Sequence, residues 1–298
     1  MKQLLFVLLF FIGGIIFFNR SAKADLPNEF VFSQSSSDEK ELCVLNRKCD
    51  VNTLVNSGFS GIAYRGDDKY ICIDKGSLIL LDASDGTRSE LCKVRNNYAD
   101  TNIFLTPDQR YVYFADEGEK FQYSLKRYSF EDNKTETVIP DADSDIMTSD
   151  IYVSQDNETI YYLADGNRKY AHHLNYKLKS IDSFKRETTI AEDVVDFDVS
   201  RDRSFIIFTK ATDAETVFYR LDLTRGKEEK LFSTRKNVSF VNINDSDDSC
   251  FVYATYRLDW FNQRSGEQIR VYDLESGKDE VIYKLKRGHV LLGSCWGK

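Results

Sequence analysis

Proline and histidine are scarce, with 3 of each among 298 residues, and glycine numbers only 15. This composition excludes a collagen-like chain and a Pro/Gly-rich disordered linker. Cysteine occurs without a single C-x-x-C pair, which removes thioredoxin-type redox chemistry and the commonest zinc clusters. Two of the three histidines, His172 and His173, are adjacent, so on a strand they point to opposite faces and do not chelate one metal. Positive charge is outnumbered, 40 Lys and Arg against 48 Asp and Glu, for a net charge of −8. A nucleic-acid binder presents a basic field to phosphates, so no nucleic-acid partner is expected. No G-x-S-x-G stands before a helical segment, and no Ser, His and carboxylate are ordered as a recognisable triad.

Long apolar runs are also missing, with one exception at the start of the chain. Residues 4–18 form an uncharged apolar run of 15 residues behind Lys2, followed by Ala22-Lys23-Ala24. That is the arrangement of a secretory signal with an A-x-A cleavage site. A helix of that length covers about 22 Å, short of a hydrocarbon core of roughly 30 Å. Residues 1–24 are therefore expected to be a signal peptide, with an uncleaved membrane tether through residues 4–18 as the alternative. Either way the bulk of the chain, residues 25–298, is expected to be exported to the periplasm, the cell envelope or the exterior. In an exported chain cysteines are candidates for disulfides. Cys43 and Cys49, placed symmetrically about a turn at Asn46, are expected to face each other across a hairpin and bridge. Cys72, Cys92, Cys250 and Cys295 are dispersed like core residues of strands.

What the chain does have is a repeat. Thr106-Pro107-Asp108 precedes Tyr111-Val112-Tyr113-Phe114, Ser154-Gln155-Asp156 precedes Ile160-Tyr161-Tyr162-Leu163, and Ser200-Arg201-Asp202 precedes Phe205-Ile206-Ile207-Phe208. Weaker copies place Asp67-Asp68 before Tyr70-Ile71-Cys72-Ile73 and Asp247-Asp248 before Phe251-Val252-Tyr253. The acids Asp68, Asp108, Asp156, Asp202 and Asp248 are spaced by 40, 48, 46 and 46 residues. After each turn comes a hairpin of alternating residues: 78–94, 127–139, 178–190, 219–232 and 269–283, with a sixth at 41–55. Six outer hairpins need six inner pairs, and the missing inner strand has a candidate in His289-Val290-Leu291-Leu292-Gly293-Ser294. Joined to Glu29-Phe30-Val31-Phe32 and the 41–55 hairpin, it completes a sixth sheet. Four strands every 40–45 residues or so is the period of a propeller. The expectation is an all-β, six-bladed β-propeller of four-stranded antiparallel blades, its ring closed by strands from both termini.

The unit Thr106-Pro107-Asp108-Gln109-Arg110-Tyr111-Val112-Tyr113-Phe114 resembles the S-P-D-G-K-x-I-x-F unit of TolB-type propeller repeats, and residues 200–208 carry a looser copy. The resemblance covers about residues 58–285 and implies a propeller in an envelope compartment. It departs from the family in having no segment for the α/β domain that precedes the TolB propeller, nor for the hydrolase domain of the prolyl-oligopeptidase group. It therefore implies a fold and leaves the activity open.

Loops that join strand two to strand three, or one blade to the next, share one face of a propeller and carry binding residues on a rigid frame. On such a connection Asp141, Asp143 and Asp145 alternate as a hard cation requires, which makes Ca²⁺ the candidate metal. Ile146 stands where a calcium loop of the EF type needs glycine, so a solvated acidic loop with no cofactor is the first reading and a Ca²⁺ site the alternative. The 255–267 connection holds Tyr256, Arg257, Trp260, Phe261 and Arg264, residue types that anchor interfaces, and the alternative is that Trp260 and Phe261 fold back and plug the loop. Tyr170 and His172 lie on the matching loop of another blade. The expected function is a non-catalytic scaffold that recognises a protein, peptide or glycan through this face. The alternative is an extracytoplasmic hydrolase or lyase using convergent acids with calcium.

Overall fold

In the second strand of five of these repeats the apolar residues run consecutively, and residues 70–73, 112–115, 160–164, 205–208 and 251–255 are all buried. A strand buried on both faces needs cover on both sides, and a ring of blades gives each sheet a neighbour on either side. A computed structural model describes residues 25–37, 39–95, 103–117, 123–140, 151–154, 156–170, 173–244, 246–258 and 263–297. The side chains of residues 117, 123, 167–170, 173 and 174 stand outside that description.

Every regular element among the described residues is a strand. Blade 1 contains β1 (Phe30–Ser35), β2 (Lys40–Leu45) and β3 (Val51–Val55). Blade 2 is β4 (Ser60–Gly66), β5 (Lys69–Asp74), β6 (Ser77–Asp82) and β7 (Arg88–Lys93). Blade 3 is β8 (Ile103–Leu105), β9 (Tyr111–Glu117), β10 (Tyr123–Ser129) and β11 (Lys134–Ile139). Blade 4 is β12 (Ile151–Val153), β13 (Thr159–Tyr170), β14 (His173–Asp182) and β15 (Glu187–Val194). Blade 5 is β16 (Asp196–Val199), β17 (Phe205–Ala211), β18 (Thr216–Asp222) and β19 (Lys227–Thr234). Blade 6 is β20 (Asn237–Ile243), β21 (Cys250–Leu258), β22 (Arg264–Asp273) and β23 (Asp279–Lys284). The last strand, β24 (Val290–Trp296), pairs antiparallel with β1 and completes blade 1, so both termini close the ring as expected.

Six apolar clusters fill the six seams. Val31 and Leu42 meet Ile62 and Tyr70 between blades 1 and 2, and Phe205 and Phe218 meet Phe251 and Tyr253 between blades 5 and 6. The seam between blades 6 and 1 packs Val252 and Ile269 against Phe30, Phe32 and Trp296. Side chains from blade 6 also fasten β24. Glu267, 1% exposed, accepts the Leu291 N–H at 2.8 Å, Asn242 donates to Ser294 at 2.9 Å, and Trp296 donates to the Asn242 carbonyl at 3.3 Å. Gly293 lets β24 approach the next blade closely, because a Cβ there would stand 3.1 Å from the backbone nitrogen of Gly61 on the adjoining inner strand and would crowd it.

The repeated turn works through its side chains. Thr106, Ser154 and Ser200 accept the N–H of Tyr111, Thr159 and Phe205 at 3.1, 2.9 and 3.0 Å. Asp108, Asp156 and Asp202 accept the N–H two residues on, at 3.0, 3.1 and 2.8 Å. Two copies differ from the sequence reading. In blade 6 the equivalent acid is Asp247, which accepts from Ser249 and the Asn244 amide, while Asp248 takes a left-handed φ of 54°. In blade 2 Asp67-Asp68 is a two-residue hairpin with φ of 50° and 58°, closed by the Gly66–Lys69 pair.

The expected Cys43–Cys49 bridge is absent; neither residue is in a disulfide. The hairpin register explains why. Asn46 begins the turn rather than centring it, its Oδ1 accepting from Lys48 and Asp50 N–H at 2.9 Å each. Leu45 then pairs with Val51, and Cys43 lies opposite Thr53, with Cys49 inside the turn at φ 59°.

Candidate functional site

Chain direction puts the connections between second and third strands, and those between blades, on one face. Strand length decides how far each hairpin rises from it, at roughly 3.3 Å per residue. β13 and β14 have 12 and 10 residues and β21 and β22 have 9 and 10, against 7 and 7 for β17 and β18. Blades 4 and 6 therefore raise two hairpins on either side of a lower blade 5. The 255–267 segment read as one long loop is mostly strand. Pairing continues through a bulge to Arg257 opposite Ser265 and Leu258 opposite Arg264.

At this end of blade 6 the Arg264 guanidinium lies 4.6 Å over the Tyr256 ring, a cation–π contact that fixes the hairpin's flank. Arg257 is exposed beside it. Lys236, just before β20, donates to Gln268 Oε1 at 2.8 Å. Burial pushes the Lys236 pKa down, and the nearby positive charges of Arg270 and Arg257 push it further. Arg270 itself is matched by Asp279 at 2.8 Å, which also accepts the Tyr253 hydroxyl at 2.9 Å.

Tyr256, Arg257 and Arg264 thus lie together on the β21–β22 hairpin. Tyr170 ends β13 at the tip of the blade 4 hairpin, its backbone paired with His173. Trp260, Phe261, His172, Asp141, Asp143 and Asp145 lie outside the described residues. Lys236, Gln268 and Lys284 were missed by sequence reasoning because they lie in or beside three different strands, Lys236 just before β20, Gln268 within β22 and Lys284 at the end of β23. The basic run Lys284-Leu285-Lys286-Arg287 was a signal for Lys284 alone, and only the strand register brings Lys236 and Gln268 beside it.

Below the blade 4 hairpin, Lys179 bridges Asp165 at 3.0 Å and Glu187 at 2.8 Å, and the Tyr162 hydroxyl donates to Glu187. The hydrogen bonds from Lys179 hold both carboxyls below the usual carboxylate range. A general acid needs the opposite shift. Burial does raise the Asp248 carboxyl, but Asp248 sits in a turn on the other face and accepts the Arg201 N–H at 2.9 Å. Among the described residues no group of three or more His, Cys, Asp or Glu side chains is arranged to hold a metal ion. Among them, too, no helix is long and apolar enough to cross a membrane.

No protein-family profile matches the chain, and no curated protein matches it in sequence. Solved structures match in shape. TolB from Acinetobacter baumannii is 10% identical with a TM-score of 0.68, over 90% of this chain and 67% of that one. A structure from Agrobacterium tumefaciens assigned to TolB is 13% identical with a TM-score of 0.63, over 91% of this chain and 99% of that one. A chain from a nidogen/laminin complex is 14% identical with a TM-score of 0.60, over 90% of this chain and 97% of that one. The class defined by ring and repeat is the six-bladed propeller. Within that class the chain has the TolB-type propeller fold.

Proposed function

We propose that this chain is an exported, non-catalytic binding scaffold that engages a protein through the blade 6 end of its loop-rich face. The observation that carries this reading is the raised β21–β22 hairpin, which presents Tyr256, Arg257 and Arg264 beside a cation at Lys236. Trp260 and Phe261 lie in the segment joining these two strands, and Trp, Tyr and Arg are the residues that dominate interface energetics. One of the similar structures comes from a nidogen/laminin complex, which favours protein over glycan as the partner class. The apolar run at 4–18 with Ala22-Lys23-Ala24 supports export.

Site-directed photo-crosslinking tests the reading. A benzophenone side chain at position 257 in cells should give protein adducts, and one at position 85, in a turn on the opposite face, should not. Adducts confined to position 85, or none at either position, would sink it.

A further inference from the structure

Four adjacent strands of blade 6 bring cations to one edge. Lys236 precedes β20, Arg257 lies near the end of β21, Arg264 opens β22 and Lys284 closes β23. The register aligns them: Asn237 is opposite Tyr256, Leu258 opposite Arg264, and Gln268 opposite Lys284. Arg235, Arg257, Lys284, Lys286 and Arg287 are exposed. Among the described residues Arg235, Lys236, Arg257 and Lys284 form no ion pair, and Lys236 rests on the neutral amide of Gln268. The lowered Lys236 pKa has like charge among its causes, so these cations are close enough to repel one another. In a chain of net charge −8 this patch runs against the overall field. Holding like charges together costs stability, and an anionic partner offsets that cost.

We infer that this edge is a receptor for an acidic polypeptide segment, whose Asp and Glu carboxylates pair with Arg257, Lys236 and Lys284. The inference rests on the binding reading above and deepens it by naming the partner's chemistry. A guanidinium fork suits a carboxylate in two-point contact, and a lysine adds a point charge. An anionic glycan fits less well. Sugars stack on open aromatic faces, and the Tyr256 ring carries the Arg264 guanidinium.

Fluorescence anisotropy with a labelled oligo-glutamate peptide of about 16 residues tests this, since exposed charge pairing is screened by salt. The full chain should bind the peptide, and raising NaCl from about 50 to 300 mM should weaken binding at least about tenfold. The double variant Lys236→Glu, Arg257→Glu should bind at least about tenfold more weakly at low salt, while Lys185→Glu on the opposite face should bind as the parent does. If the double variant fails to fold by thermal melting, the neutralising pair Arg257→Gln, Lys284→Gln replaces it with the same expected direction. Equal binding by the charge variants, no binding of the peptide, or tighter binding of a hyaluronan fragment of matched charge would overturn the inference. Adducts from a benzophenone at position 257 that persist when Lys236→Glu and Lys284→Glu are added would overturn it too, while leaving the broader binding reading standing.

Discussion

A carboxylate two residues after a Ser or Thr is the smallest unit that builds this fold. Asp202 accepts the Ser200 hydroxyl at 2.9 Å and the Ser204 N–H at 2.8 Å, and such bonds favour its ionised form. The hydroxyl of Ser154 likewise holds the Asp156 pKa below its ordinary value, and that of Ser204 does so for Asp202. A carboxyl lowered in the folded state stabilises it fully above the unfolded pKa of about 4, and the contribution is lost as pH falls through the folded value. The melting temperature should therefore hold from about pH 7 to 5 and drop below about pH 4. In Asp202→Asn the drop should be shallower from a lower starting point; an identical drop would mean these turns do not carry it. At the same scale, burial pushes the Cys43 thiol up to about 11 and Cys250 up to about 12. Native protein at about pH 8 should leave both unlabelled by a maleimide, and denatured, unreduced protein should label all six cysteines. Labelling of only four, with Cys43 and Cys49 the unlabelled pair by peptide mapping, would restore the Cys43–Cys49 bridge. That bridge was misread because spacing alone put Asn46 at the middle of its turn, whereas an asparagine that accepts from two following N–H groups starts one.

Among the elements β24 has the greatest consequence, because it is the inner strand of a blade whose other strands lie at the opposite end of the chain. Its apolar content was legible as Val290-Leu291-Leu292 before Gly293, and so was its partner β1. The fasteners were not legible: Glu267 holds Leu291 across 24 residues, and Asn242 holds Ser294 across 52. Nothing local marks such pairs, since each is a side chain of one blade reaching a strand of the next. Removing residues 288–298 should expose the β1 edge and strip Trp296 from Phe30, whose rings meet edge-on at 5.3 Å. A truncated protein that melts with the parent would contradict closure by this strand. Trp296→Ala alone should cost about 3–5 kcal/mol in denaturant unfolding, because the ring is 4% exposed in the blade 6–blade 1 seam.

At the scale of the whole molecule the ring was the most legible feature, because turns and hairpins recur at nearly even spacing. Less visible was how the turns on the closed face lock neighbouring blades. Asn157 donates to Asp108 at 3.1 Å, Arg203 pairs with Asp156 at 3.0 Å, and Asp248 accepts from Arg201 at 2.9 Å. Each latch joins one repeat to the next, so a residue that looks like a spare turn acid serves the blade beside its own. One face is thereby committed to holding the ring together, and the other is left to carry hairpins of unequal height. Tyr256, Arg257 and Arg264 were legible there as residue types, while Lys236 and Lys284 needed the register to bring them in. The most direct test of the account is to measure crosslinking from position 257 and the melting temperature together in Trp260→Ala. The account predicts that adduct yield falls about tenfold or more, in line with a hot-spot loss, while the melting temperature stays within a few degrees of the parent. An unchanged yield, or a melting point lowered as far as a core truncation of about 3–5 kcal/mol would lower it, would contradict the account.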